Sequence, residues 1–170
     1  MDRIVDGVLS LDDIRLSGKR VLYRVDINSP LHPETGAFLD DGRLRSIIPT
    51  LSALSDAKVV ILGHQSRPGR SDFTDLSGHA DRISRILGRP IRFIPDVCGE
   101  IAIDAIRSMN AGEILCLDNV RMHAEENSLK KAGLEDLRLS QIVSNLAPEF
   151  DAYVTDAFGA AHRNLSLIHI

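Results

Sequence analysis

Four side chains that can bind anions stand just after apolar runs of this sequence. They are His64 and Arg67 after KVVIL, Arg121 after EILCL, and Arg163 after AYVT. A guanidinium group pairs with a carboxylate or a phosphate through two parallel hydrogen bonds, so arginine suits a small ligand with several oxyanions. If the apolar runs are strands of one parallel sheet, these side chains meet at one rim and form an anion-binding site.

Three further residues accompany this set. Asp26 and Asn28 follow the first apolar run, and Arg43 opens a helical stripe after a loop. Each residue also has an ordinary explanation: a solvated surface arginine, a core histidine bonded to backbone, or an aspartate that caps a turn. These explanations weaken together, because several strand ends would all have to place cations at one edge by chance.

The elements that must position these residues follow from the spacing of apolar side chains. Strands are predicted at Arg20–Asp26, Lys58–Leu62, Ile91–Ile94, Glu113–Leu117 and Ala152–Thr155. Helices are predicted at Arg43–Ser55 with a kink at Pro49, around Leu76, Ala80, Ile83 and Leu87, at Ile101–Met109, and around Leu139, Ile142, Val143 and Leu146. This alternation predicts an α/β fold: a doubly wound, Rossmann-like parallel sheet in three layers, α/β/α, with right-handed crossovers.

Composition indicates one globular domain. The 170 residues carry a net charge of −4, so no basic field suggests nucleic acid, and no apolar run is long enough to span a membrane. The N-terminus, MDRIVDG, is acidic and is not expected to be a signal peptide. We therefore expect a cytoplasmic protein in which Cys98 and Cys116 are reduced, largely buried thiols.

Several known motifs are missing from the sequence. There is no G-x-x-x-x-G-K-[ST] loop for a nucleotide, no G-x-G-x-x-G for a dinucleotide, no G-x-S-x-G elbow, and no metal-ligand spacing. Other charges are interpreted as ordinary surface: Lys130 and Lys131 as solvated, Glu125 and Glu126 as an acidic loop or helix start, and His79 as part of an exposed helix face.

Five segments in order resemble the N-terminal domain of the phosphoglycerate kinase family. They are RVDINSPL, DDGRLRSIIPTL, GHQSRPG, LDNVRMHAEE and TDAFGAAHR, and they span about residues 11 to 163. In GHQSRPG, bacterial and eukaryotic members usually have a histidine followed by Leu-Gly-Arg-Pro, so this segment, like the short VRMHAEE, is similar to the archaeal branch.

The resemblance implies a phosphoryl transfer between 1,3-bisphosphoglycerate and ADP that yields 3-phosphoglycerate and ATP in glycolysis or gluconeogenesis. Asp26 and Asn28 would contact the glycerate, while His64, Arg67, Arg121 and Arg163 would hold its phosphate and carboxylate. Arg43 would also bind the substrate and would be the catalytic arginine that faces the transferring phosphoryl group. Mg-ADP or Mg-ATP, the co-substrate, would bind a C-terminal domain, and the full-length protein is expected to be a monomer.

Two departures from the family pattern shape the expected domain organisation. We expect residues 1–164 to be the 3-phosphoglycerate-binding domain, cut before its last strand, with no cofactor site and no kinase activity of its own. Residues 165–170, LSLIHI, are expected to be a non-native tail, because the family pattern continues differently after Arg163. Alternatives are a stand-alone anion-binding module without catalysis, or an unrelated doubly wound domain of the receiver or flavodoxin type, which would need an acidic pocket or a flavin-phosphate loop.

Overall fold

The structure, a computed structural model, describes residues 10–128 and 133–157. The predictions for Lys130, Lys131, Arg163 and the segment 165–170 fall outside these residues. Within them, no helix is long and apolar enough to cross a membrane.

Five parallel strands form one sheet. They are β1 (Arg20–Arg24), β2 (Lys58–Leu62), β3 (Arg92–Ile94), β4 (Ile114–Leu117) and β5 (Ala152–Thr155), in the order β3-β4-β2-β1-β5. In the central pair, Arg20 to Arg24 of β1 stand opposite Lys58 to Leu62 of β2. All five predicted strands are therefore present, with boundaries that differ by two residues at most.

Helices cover both faces of the sheet. They are α1 (Gly42–Ser46), α2 (Ile48–Ala53), α3 (Ser77–Leu87), α4 (Glu100–Arg107), α5 (Ala124–Ser128), α6 (Leu134–Arg138) and α7 (Gln141–Leu146). One core joins α1, α2 and α3 to side chains of β1 and β2 such as Tyr23 and Ile61. The second joins α4 and α7 to the opposite face, through Val60 and Leu117. The arrangement confirms the predicted three-layer α/β/α fold.

The helix predicted at Arg43–Ser55 is wrong as a single element. Proline has no N–H to donate to the carbonyl four residues earlier, and its ring crowds that carbonyl. With Pro49 in its first turn, the chain starts a new helix at Ile48 and leaves α1 as a separate short helix. This break sets the direction of α1, the helix that carries Arg43.

The exposure of two residues also differs from the sequence-based expectation. Leu139 is 80% exposed, since it precedes α7 and Ser140 caps that helix by accepting from the Val143 N–H. His79 is 1% exposed and not on a solvated face, because α3 turns it toward the polar side chain of Gln65. Cys98 and Cys116 are buried free thiols, as predicted.

Candidate functional site

A crevice of about 420 Å³ opens at the carboxyl ends of β1, β2 and β4. Its lining consists of Arg24, Val25, Asp26, Asn28, Arg43, His64, Ser66, Arg67, Arg70, Arg121 and Ala157. The loops after these strands converge because β1, β2 and β4 are adjacent and parallel. Gly63 contributes to this close approach: a Cβ there would lie 2.9 Å from Ile27 Cδ1 and would force that side chain to shift.

Six of the seven residues selected from the sequence line this one crevice. They are Asp26, Asn28, Arg43, His64, Arg67 and Arg121. The seventh, Arg163, lies outside the described residues. The topology thus brings together side chains that are up to 95 positions apart in the chain, from Asp26 to Arg121.

Two cations of the crevice were missed by the sequence reasoning. Arg24 is the last residue of β1, and a charge inside an otherwise apolar strand was a usable signal. Arg70 stands in the turn after Arg67, where its main-chain N–H donates to the Arg67 carbonyl. No local pattern distinguishes Arg70 from an ordinary solvated arginine.

Arg43 reaches across the mouth of the crevice from α1. Its Nη1 donates to Asp26 Oδ2 at 2.5 Å, and both side chains remain substantially exposed. An exposed ion pair of this kind contributes little to stability and can exchange partners at low cost. Arg43 therefore lies at the mouth of the crevice and is available to an incoming anion.

The turn at Ser66 holds the centre of the crevice in place. Ser66 has a φ of 56°, in the left-handed region that non-glycine residues rarely occupy. Its N–H donates to Asn28 Oδ1 at 2.8 Å, its carbonyl accepts from Arg121 Nη1 at 2.6 Å, and its hydroxyl donates to Asp72 Oδ1 at 2.5 Å. Three partners from three loops offset the backbone strain, which is the situation expected at functional sites.

His64 is partly buried beside this turn, and no described residue hydrogen-bonds to its buried Nδ1 atom. Burial, together with the charges of the nearby Arg121 and Arg24, lowers the pKa of His64 to about 3. The imidazole is consequently neutral at pH 7 and offers a hydrogen bond to a ligand. An anion in the crevice would oppose the lowering of the pKa by adding negative charge beside the ring.

Arg24 forms a buried ion pair with Glu126 on α5, with Nη2 and Oε1 3.5 Å apart. Glu126 is 7% exposed, so its interpretation as an ordinary surface charge is wrong, although α5 does begin beside it. The reason is the buried arginine, whose charge needs a counter-charge in a poorly hydrated place. Arg67 and Arg70, in contrast, are exposed and form no ion pair with any described residue.

The crevice therefore carries a net positive charge, even with Arg24 paired to Glu126. Five arginines line it against one carboxylate, that of Asp26. Such a lining attracts a small, multiply charged anion, because bidentate guanidinium contacts are strongest with carboxylate and phosphate. Within residues 10–128 and 133–157, no group of three or more acidic, histidine or cysteine side chains could hold a metal ion.

Comparison with known proteins gives consistent matches. A family model described as phosphoglycerate kinase matches residues 11–169, a stretch that extends into the predicted tail. The chain is 48% identical over 155 residues to the phosphoglycerate kinase of Methanocorpusculum labreanum, covering 91% of this chain and 38% of that protein. It is 43% identical over 161 residues to the phosphoglycerate kinase of Archaeoglobus fulgidus, covering 95% and 39%.

A solved structure supports the fold. The crystal structure of phosphoglycerate kinase from Pyrococcus horikoshii OT3 superposes with a TM-score of 0.87 at 34% identity, covering 94% of this chain and 39% of that one. The archaeal relatives agree with the branch indicated by GHQSRPG. The chain spans about 38% of the length of the curated relatives that it matches.

Proposed function

This chain belongs to the phosphoglycerate kinase family, and from that premise we propose that its arginine-lined crevice is a 3-phosphoglycerate site. Residues 1–164 would then form the glycerate-binding domain of an enzyme that transfers a phosphoryl group between 1,3-bisphosphoglycerate and ADP. The observation that carries the proposal is the convergence of five arginines and one neutral histidine on a single crevice.

The ligand's charges suit this lining. A phosphate monoester and a carboxylate together carry about three negative charges at neutral pH. Arg67, Arg121 and His64 supply two guanidinium forks and an imidazole, while Asp26 and Asn28 supply oxygen acceptors for a hydroxyl. Arg163, which follows β5 in the sequence, would add another cation. Arg43 would bind at the opposite side, next to the phosphoryl group that moves.

Phosphoryl transfer requires the protein to position reactants and to balance charge more than to do covalent chemistry. In this role Arg43 is the catalytic candidate, since its partner Asp26 holds it at the mouth in the free chain. The magnesium nucleotide would be the second substrate, bound by other parts of a protein of the relatives' length.

Calorimetric titration of the 170-residue chain with 3-phosphoglycerate at low salt tests the site. We expect saturable binding that weakens as salt rises, since exposed charges are screened. Arg67→Ala should weaken it, whereas Arg85→Ala, a matched arginine on α3 outside the crevice, should not. A folded chain that binds no 3-phosphoglycerate would contradict the proposal.

We expect the 170-residue chain alone to form no ATP from 1,3-bisphosphoglycerate and ADP. The chain spans about 38% of its relatives, and in-line transfer needs a nucleotide held against the acceptor as the site closes. A coupled assay measures this directly. ATP formation that Arg43→Ala abolishes would show that these residues suffice for catalysis.

A further inference from the structure

Gln65 lies beneath the crevice without belonging to its lining. Its side chain is 0% exposed, although a polar carboxamide is costly to bury without partners. The three segments around it, residues 27–29, 64–67 and 70–75, carry the anion-binding residues Asn28, His64, Arg67 and Arg70.

The Gln65 carboxamide uses its whole hydrogen-bonding capacity on two of these segments and on α3. Its Oε1 accepts from the Ser29 N–H at 3.0 Å, and its Nε2 donates to the Ser29 carbonyl at 2.9 Å. The second Nε2 hydrogen goes to the Asp72 carbonyl at 3.3 Å, and His79 Nε2 lies 3.0 Å from Oε1. Because Oε1 only accepts, His79 Nε2 must carry a hydrogen.

These contacts connect directly to the ligand-binding side chains. Ser29 adjoins Asn28, which itself accepts from the Ser66 N–H. Asp72 stands two residues after Arg70 and accepts from the Ser66 hydroxyl. The Gln65 carbonyl also accepts from Asn119 Nδ2 at 2.8 Å, which ties the loop after β4 to the same point.

We propose that Gln65 is a positioning residue: its carboxamide fixes the loops after β1 and β2 relative to each other, so that Asn28, Arg67 and Arg70 are arranged before the anion arrives. The inference rests on the proposed function of the crevice. It deepens that function, because preorganised groups lose less conformational entropy when they bind.

Gln65→Met tests it by keeping the length and volume of the side chain while removing every hydrogen bond of the carboxamide. The 3-phosphoglycerate Kd of the 170-residue chain should rise at least about tenfold, because Ser29 and Asp72 lose their common partner. Asn145→Met is the matched control: it removes a donated bond to the Cys98 carbonyl on the other face of the sheet. The melting temperature of that variant should be lower, and its Kd should be unchanged.

A double-mutant cycle separates positioning from general destabilisation. If Gln65 acts through Arg67, then Gln65→Met should raise the Kd by only about threefold or less when Arg67→Ala is already present. Equal tenfold losses in both backgrounds would overturn the proposal. So would an unchanged Kd in a folded Gln65→Met chain.

Gln65→Glu covers the case in which the methionine variant does not fold. At this buried position the carboxyl group stays protonated, so it keeps both acceptor contacts and one of the two donated bonds, and we expect about a threefold rise in Kd. Failure of this variant to fold would assign Gln65 to the fold and contradict a positioning role. If the unmodified chain binds no 3-phosphoglycerate, the proposed function is wrong, and the same variants compared with inorganic sulfate still test Gln65 by itself.

Discussion

Where β1 and β5 begin, the cationic side chains all pair with carboxylates, whereas at the opposite end of the same sheet some of the described arginines pair with none. At the first end, Arg20 and Arg107 both approach Glu149, and Lys19 approaches Asp151. At the second end, five arginines line the crevice, of which Arg43 pairs with Asp26 and Arg24 with Glu126. Matched charges hold elements together, while unmatched charges repel one another unless a ligand arrives. On the proposed function, the first end serves stability and the second serves binding.

The largest effect should come from Arg43, which pairs with Asp26 at the mouth of the crevice. In an enzyme of the relatives' full length, Arg43→Ala should lower turnover by about 100-fold or more while the 3-phosphoglycerate Kd changes little, because charge at the migrating phosphoryl group stabilises the transition state most. Steady-state kinetics and calorimetry measure the two quantities. Arg45→Ala, on the same helix but paired with Asp41, is the control. Equal losses in turnover and affinity would make Arg43 a plain substrate ligand.

Replacing one arginine by alanine at each end of the sheet should affect binding at one end and stability at the other. Arg67→Ala should weaken 3-phosphoglycerate binding by roughly 10- to 100-fold, as one charge-assisted hydrogen-bonding group is worth about 1.5–3 kcal/mol. Arg107→Ala should leave the Kd unchanged and lower the free energy of unfolding, because Glu149 loses its bidentate partner. Calorimetry and denaturant unfolding measure the pair. If Arg67→Ala changed the Kd by less than about 10-fold, or lowered only the free energy of unfolding, this division between binding and stability would be contradicted.

The sequence predicted the fold and the crevice only in part. Apolar runs located the strands, and the rule that ligands meet the carboxyl ends of parallel strands selected Asp26, His64 and Arg121. Charge at a strand end is a local signal, so a single sequence reveals it. The break between α1 and α2 was predicted only in part, since Pro49 indicated a kink but not two helices.

The supporting residues could not be predicted in the same way. Gln65 bonds Ser29, which is 36 positions away, and Arg24 pairs with Glu126, which is 102 positions away. Such partners depend on tertiary contacts that leave no periodic trace in the sequence. His79 shows the consequence: a polar residue on a helix was assigned to solvent, although Gln65 and the edge-on ring of Phe38 make its burial favourable.

Acid should weaken both ends, but through different groups. An unfolded histidine titrates near pH 6.5, while the pKa of His64 in the folded chain is about 3. Between these values only the unfolded chain takes up the proton, so stability falls as pH drops from about 6.5 toward 3. His79, with its pKa lowered to about 4 by burial, adds to the same fall. His64→Gln should flatten this slope in urea unfolding at several pH values.

An added anion should have a similar effect on the slope, because phosphate or sulfate beside His64 favours the protonated ring. At the other end, the Arg107 hydrogen bond lowers the pKa of Glu149, so its contribution disappears only as pH falls below about 4.5. A slope between pH 5 and 6.5 that His64→Gln leaves unchanged would contradict the assignment to the crevice.

The smallest effect should come from the exposed pair Lys19–Asp151, which measures how much an exposed ion pair contributes to the free energy of unfolding. The two charged atoms are 3.8 Å apart and both side chains are about half exposed, so water and salt screen the attraction. Lys19→Ala should therefore change the free energy of unfolding by less than about 0.5 kcal/mol. Asp151→Ala should cost more, about 1 kcal/mol, because Asp151 Oδ2 also accepts from the Arg20 N–H at 2.8 Å where β1 begins. Denaturant unfolding of both variants at low and high salt measures the difference. If the lysine variant lost as much as the aspartate variant, the ion pair and not the backbone hydrogen bond would stabilise this end of the sheet.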